Sequence, residues 1–201
     1  MTSKSYKILV VPVFLFLIFT TELIFVQKPW EDEAMFSCAS YNLSKNGYLA
    51  VPGFRRALGT IGVEKHIYWI PPLNMIIGAW WYKIFGYSLF SRRFLALIFG
   101  LVGLIVFYIF LKKLRFEDNL IFIALLLTSV DFLYTRHSAD GRLCDIMCHI
   151  LCLSAFVIYL LLREKNFILS VFISNAFVAL SCLTHPNGLL GLAGLMFLIL
   201  F

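Results

Sequence analysis

Apolar residues occur along this chain in long, nearly unbroken runs that short polar segments separate. A helix needs about 20 apolar residues to cross the hydrocarbon core of a bilayer. Six runs meet or approach that length, and they cover residues 8–26, 94–111, 120–134, 146–162, 167–184 and 189–201. The pattern therefore predicts an all-α chain that forms a polytopic transmembrane helical bundle of about six spans.

The segment between the first two runs, residues 27–91, has a different pattern. Residues 33–45 mix polar and apolar side chains and predict a short helix that Asn46-Gly47 ends. Pro71-Pro72 then precedes a second apolar run, residues 73–85, which is too short to span a bilayer upright. Its aromatic residues suit the headgroup region, so we expect a helix lying along the membrane. The alternative is a tilted span, which would add a crossing and reverse the charge distribution described next.

The basic residues sit mostly between the apolar runs. The amino terminus, the loop after the second span and the loop after the fourth span together carry seven Lys and Arg, whereas the short opposite loops carry two. Cytoplasmic loops are enriched in Lys and Arg, so the amino terminus is predicted to be cytoplasmic. The segment 27–91 then becomes an outer loop with two juxtamembrane helices.

Composition narrows the class of protein further. Hydrophobic residues make up 61% of the 201 residues and charged residues 14%, against about half and a quarter in soluble domains. These values exclude a soluble enzyme, a nucleic-acid-binding domain and a disordered chain. Cys144, Cys148 and Cys152 follow one helical stripe and are interpreted as packing residues. His149 is offset from that stripe, so no metal site is predicted there.

The outer segments hold the candidate chemistry. Glu31-Asp32-Glu33 are three adjacent carboxylates just beyond the first span. Such a group can deprotonate a hydroxyl, bind a divalent cation or stabilise a developing positive charge. The alternative is a solvated acidic turn that favours the start of the next helix.

A second group of polar residues lies between the third and fourth spans. It comprises Arg136, His137, Asp140, Arg142 and Asp145. Arginine binds phosphate through paired hydrogen bonds. A carboxylate at the membrane boundary requires a partner, and for Asp145 the candidates are Arg142 or a group from the first loop. The alternative is an ordinary interfacial loop with a local ion pair.

Taken in order, these motifs resemble the amino-terminal half of a GT-C superfamily membrane glycosyltransferase. The branch is that of the dolichyl-phosphate-mannose protein mannosyltransferases and the aminoarabinose transferases of lipid A. Five motifs carry the resemblance: Asp32-Glu33 opening a juxtamembrane helix, Pro71-Pro72-Leu73, Phe85-Gly86 followed by Arg92-Arg93, Gly141-Arg142-Leu143-Cys144-Asp145, and Thr184-His185-Pro186-Asn187-Gly188. The whole chain, residues 1–201, would then be the amino-terminal part of a GT-C-like transmembrane domain.

The resemblance implies an inverting transfer of a sugar from a polyprenyl- or dolichyl-phosphate donor to a lipid, glycan or protein acceptor. Asp32 would act as the catalytic base, with Glu33 beside it in the catalytic pair. Arg136, Arg142 and His185 would bind the donor phosphate, and Asp145, His137 and Arg92 would support them. A divalent cation, Mg or Mn, is compatible with these residues but is not required by them, and no nucleic acid is expected.

The chain is expected to be a multi-pass protein of the bacterial inner membrane, or of the endoplasmic reticulum membrane if the host is eukaryotic. Its site is expected on the extracytoplasmic side. Two other functions stay open. One is a lipid or sugar transporter. The other is a truncated, non-catalytic relative, because Trp69-Ile70 replace charged residues that the family often carries before the double proline and because the chain ends within an apolar run.

Overall fold

The computed structural model describes residues 7–54, 62–67 and 70–200, and the regular structure in these ranges is helical. Lys4, Trp69 and Phe201, which enter the sequence argument, lie outside them. In chain order the α-helices are α1 Lys7–Val26, α2 Glu31–Asn46, α3 Leu73–Phe85, α4 Leu89–Lys113, α5 Asp118–Val130, α6 Phe132–Ala139, α7 Cys144–Leu162, α8 Phe167–Cys182 and α9 Leu189–Leu200.

Three of these helices, α1, α4 and α7, are long and apolar enough to cross a membrane, and α5 with α6 would make a fourth as a bent pair. Helices α8 and α9 are apolar but shorter. Large apolar side chains stay exposed on the outer faces, such as Phe172 and Ile168 on α8 at 73% and 81%. Lipid tails solvate such side chains, so the chain is consistent with a membrane protein.

The structure corrects one predicted element. The run 120–134 was expected to be a single span, but α5 ends at Val130 and α6 leaves it at an angle of 57°. The break lies at Asp131, whose carboxylate accepts a hydrogen bond from the backbone N–H of Tyr134 at 2.7 Å. An aspartate in this position starts a new helix because its side chain satisfies a free N–H of the first turn.

The long helices pack into one bundle. Helix α1 lies against α4, α5 and α6, and α7 lies against α4 and α8. Phe16, Leu104, Ile121 and Leu125 are fully buried where α1, α4 and α5 meet. Helix α9 packs on α7 and α8 through Leu195. The bundle thereby fixes the ends of α4 and α7, which carry the candidate site.

Helices α2 and α3 pack on each other at one end of the bundle, and we call this pair the platform. Both were predicted, and α3 has the predicted bounds, whereas α2 begins two residues earlier and so includes Glu31 and Asp32. Acidic residues in a first turn interact favourably with the helix dipole. Helix α2 ends at Gly47, whose φ of 83° favours glycine.

Candidate functional site

The base of the site is a buried ion pair between the platform and α4. Glu33 is 0% exposed, and Arg93 donates to both of its carboxylate oxygens, from Nε at 2.8 Å and from Nη2 at 2.9 Å. The Nη1 of Arg93 donates to the carbonyls of Ile24 and Gln27 at the end of α1. A buried charge is costly unless it is paired, and here each charge has its partner. Glu33 therefore fastens the platform to the bundle.

Arg92, beside this pair, is also 0% exposed. Its Nε donates to the carbonyl of Gly141 at 2.7 Å and its Nη1 to the hydroxyl of Ser40 at 2.9 Å. Glu33 in turn accepts from the N–H of Gly141 at 2.8 Å. The N–H and the carbonyl of Gly141, the residue before Arg142, are therefore both held by buried side chains. The supporting role of Arg92 stays a prediction, and its contact with this segment is to the backbone.

Gly141 has no room for a side chain. A Cβ there would lie 2.7 Å from Cγ of Arg92 and 2.7 Å from Oε1 of Glu33. Leu143 follows with a φ of 66°, a left-handed conformation that bulky residues seldom adopt. This turn directs Arg142 away from the buried side chains of Glu33 and Arg92 and toward the accessible side of the site.

Above these buried side chains lies a group of partly exposed polar residues, which we call the open layer. Arg142 lies at its centre. Its Nη1 donates to Oδ2 of Asp32 at 3.2 Å, and its Nη2 pairs with Oδ2 of Asp145. The predicted ion pair between Arg142 and Asp145 is therefore present, and a group from the first loop joins it. Asp140 also contributes, because its Oδ1 accepts from the backbone N–H of Arg142 at 2.9 Å. Burial raises the pKa of Asp140 above its ordinary value.

Two histidines lie around Asp145. Nδ1 of His137 is 3.7 Å from Oδ2 of Asp145, and Nε2 of His185 is 4.0 Å from Oδ1. Nδ1 of His185 accepts from the N–H of Asn187 at 3.2 Å, so a neutral His185 carries its proton on Nε2 and presents a donor toward the site.

Two adjoining clefts open at this layer. Asp32, Arg142 and His185 line one of about 290 Å³, together with Pro71 and Thr184. Asp145 and His185 line a second of about 350 Å³, which continues between α7 and α9 along apolar side chains. His185 lines both, so the two clefts adjoin at this side chain.

Arg136 lies apart from this cluster. Its guanidinium carbon is 4.5 Å from the ring centre of Trp30 and 5.9 Å from that of Phe132. Trp30 immediately precedes α2, so Arg136 closes one side of the site by a cation–π contact. Within the described ranges it makes no ion pair with the carboxylates.

The sequence did not identify Arg93 as a residue of the site, nor the lack of space around Gly141. A weak signal existed, since two arginines at the start of an apolar run need buried acceptors. In the part of the chain that the structure describes, no three His, Cys, Asp or Glu side chains gather as metal ligands. The divalent cation remains a prediction without an assigned site.

The five motifs behind the resemblance converge here although they are far apart in sequence. Asp32, Pro71, Arg142 and His185 line one cleft. Arg92 holds Gly141 beneath it, and Arg93 pairs with Glu33. The resemblance thus concerns one place in the fold. The chain matches no family model, no curated protein and no solved structure.

Proposed function

We propose that this chain is a membrane glycosyltransferase of the GT-C type. It would move one sugar from a polyprenyl- or dolichyl-phosphate donor to a hydroxyl acceptor on the extracytoplasmic side of the membrane. The observation that carries this proposal is the joining of a carboxylate, an arginine and a histidine in one cleft, beside a second cleft between α7 and α9 that Phe156 and Leu190 help to line. A phosphate with a sugar on one side and an isoprenoid chain on the other needs this combination.

Two of the three adjacent carboxylates, Asp32 and Glu33, have different proposed roles. Glu33 is enclosed by Arg93 and Gly141 and acts as a positioning residue. Asp32 lines the cleft with 44% of its side chain exposed, so an acceptor hydroxyl can approach it. Asp32 is therefore the proposed base, as the resemblance implies.

The proposed step is a single displacement at the anomeric carbon. The acceptor oxygen forms a bond to that carbon while its proton passes to Asp32. The bond from the anomeric carbon to the phosphate oxygen breaks, and its electron pair leaves with the lipid phosphate. Attack opposite the leaving group inverts the anomeric configuration.

Arg142 and His185 would stabilise the departing phosphate. Arg142 first has to turn part of its guanidinium from the carboxylates to the phosphate. Its pair with Asp32, at 3.2 Å, joins side chains that are 23% and 44% exposed, so a phosphate that enters the cleft can replace Asp32 as its partner. The same movement frees Asp32 to accept the hydroxyl proton. Donors aimed at the developing charge are a large term in enzymatic rate enhancement.

The test is sugar transfer in proteoliposomes that contain the chain, a panel of polyprenyl- and dolichyl-phosphate sugars, and a membrane extract as acceptor. Release of the lipid phosphate measures turnover. Asp32→Asn should slow release by about 10²–10⁴-fold, the usual contribution of a general base. Glu31→Gln, one residue away and exposed, is the matched control and should retain activity.

Two outcomes would refute the proposal. One is undiminished release by Asp32→Asn from a donor that the wild type uses. The other is uptake of a sugar or lipid into the vesicles without any covalent product, which would instead indicate a transporter.

A further inference from the structure

A second charged cavity lies at the other end of the bundle. The turn between α4 and α5 and the turn between α7 and α8 meet there around a space of about 720 Å³. Five basic side chains line this space, and they are Lys112, Lys113, Arg115, Arg163 and Lys165. The single acidic residue in the lining is Glu164. We call this space the basic cavity.

Four of the five cations that line the basic cavity have no carboxylate partner among the described residues. Lys112 pairs with Asp118. Within residues 7–54, 62–67 and 70–200, the other four basic residues of the cavity form no ion pair with a carboxylate, although Arg163 lies 5.9 Å from the ring centre of Tyr159. Uncompensated positive charge around one cavity favours an anionic ligand.

The cavity also has an apolar wall. Leu160 and Leu161 at the end of α7 and Leu198 near the end of α9 line it beside the basic side chains. Soluble anions need no apolar contact, whereas a lipid places acyl chains next to its phosphate. The lining therefore matches both parts of a phospholipid.

Its position fits a membrane surface. Helices α4 and α7 both start at the candidate site and end at the basic cavity. At 1.5 Å per residue, the 19 residues of α7 separate the two ends by about 30 Å, close to the thickness of a hydrocarbon core. The distribution of Lys and Arg predicts that this end faces the cytoplasm, where lipid surfaces are negatively charged.

We propose that the basic cavity binds the phosphate headgroup of an anionic phospholipid, with the acyl chains against the leucines of α7 and α9. Basic pockets between transmembrane helices are suited to such headgroups because several cations surround one phosphate close to the acyl region. The proposal does not depend on the glycosyltransferase assignment, since it uses residues at the opposite end of the helix bundle.

The test is native mass spectrometry of the full chain in detergent, titrated with cardiolipin and, separately, with phosphatidylcholine. The wild type should bind cardiolipin preferentially. The triple variant Arg115→Gln/Arg163→Gln/Lys165→Gln should bind it more weakly by about fivefold per removed charge, or about 100-fold in total. The control Lys28→Gln/Lys45→Gln/Lys83→Gln removes three exposed lysines from the other end and should bind as the wild type does.

Two further measurements keep the result interpretable. Arg115→Lys/Arg163→Lys retains the charges and should retain cardiolipin binding, which separates loss of charge from misfolding. Inorganic phosphate and glycerol 3-phosphate are added as competitors, and neither should displace the lipid at equal concentration. Equal binding by the two triple variants would overturn the proposal. Displacement by either soluble phosphate at equal concentration would also overturn it, since the cavity would then be a soluble-phosphate site.

Discussion

The ion pair between Glu33 and Arg93 should contribute to the free energy of unfolding, and replacing Glu33 tests this. Replacing Glu33 by Gln keeps the shape of the side chain and leaves an oxygen that can still accept from the N–H of Gly141. It removes the negative charge that faces Arg93. The guanidinium then stays buried, with 2% of its side chain exposed, without a carboxylate.

The magnitude follows from the contacts. Removing one partner of a buried ion pair costs about 3–5 kcal/mol, because the other charge stays desolvated without compensation. Arg93 keeps its hydrogen bonds to the carbonyls of Ile24 and Gln27, which offset part of that cost. The expected loss for Glu33→Gln is therefore near the lower end, about 3 kcal/mol.

The assay is unfolding of the purified chain in mixed micelles, followed by the fluorescence of its four tryptophans. Linear extrapolation gives the free energy of unfolding. Glu31→Gln, on the same helical turn and exposed, is the control and should leave it unchanged. The double variant Glu33→Gln/Arg93→Gln should lose less than the sum of the single variants by about 2 kcal/mol, since neither charge is then left alone. A loss below about 1 kcal/mol for Glu33→Gln would show that the buried charge of Arg93 does not depend on Glu33 for its compensation.

Three other predictions follow from single contacts. Gly141→Ala should lower the free energy of unfolding by about 1–3 kcal/mol because its Cβ meets Arg92 and Glu33, whereas Gly53→Ala, which has open space, should be neutral in the same titration. Burial raises the pKa of Asp140 above its ordinary 3.8, so the folded chain holds the proton more tightly and stability falls as pH rises through the interval above 3.8. Asp140→Asn should remove that fall in unfolding curves measured across the interval, and an unchanged slope would contradict it. Arg136→Gln should lower the free energy of unfolding by about 0.5–1 kcal/mol because it loses the contact with Trp30. Trp30→Leu should cause a similar loss, and fully additive losses in the double variant would contradict this contact.

Much of the helical plan could be predicted because long apolar runs have few alternatives in a bilayer. The bounds of α3 were predicted because a double proline and a glycine enclose it. The bend at Asp131 was not, since one polar residue near the end of an apolar run reads equally well as a helix end or as an interfacial side chain. Whether α8 and α9 cross the membrane stays a prediction, because their apolar helices are shorter than those of α1, α4 and α7.

The sequence could not predict which of the neighbouring residues Asp32 and Glu33 would be buried. Asp32 and Glu33 are adjacent, yet one lines the cleft and the other is buried, because consecutive residues of a helix point about 100° apart. Which of the two faces inward depends on where α4 places Arg93, a contact across 60 residues. The sequence singled out both residues as candidates, and tertiary packing determines which of them is buried and which is accessible.

We propose that the cleft between Asp32, Arg142 and His185 holds the phosphate of a lipid-linked sugar. A cryo-EM map of the chain in nanodiscs with a non-hydrolysable polyprenyl-phosphate sugar tests it most directly. We expect phosphate density within hydrogen-bonding distance of the Arg142 guanidinium, with the isoprenoid chain in the cleft between α7 and α9. Phosphate density remote from Arg142 and His185 would contradict it.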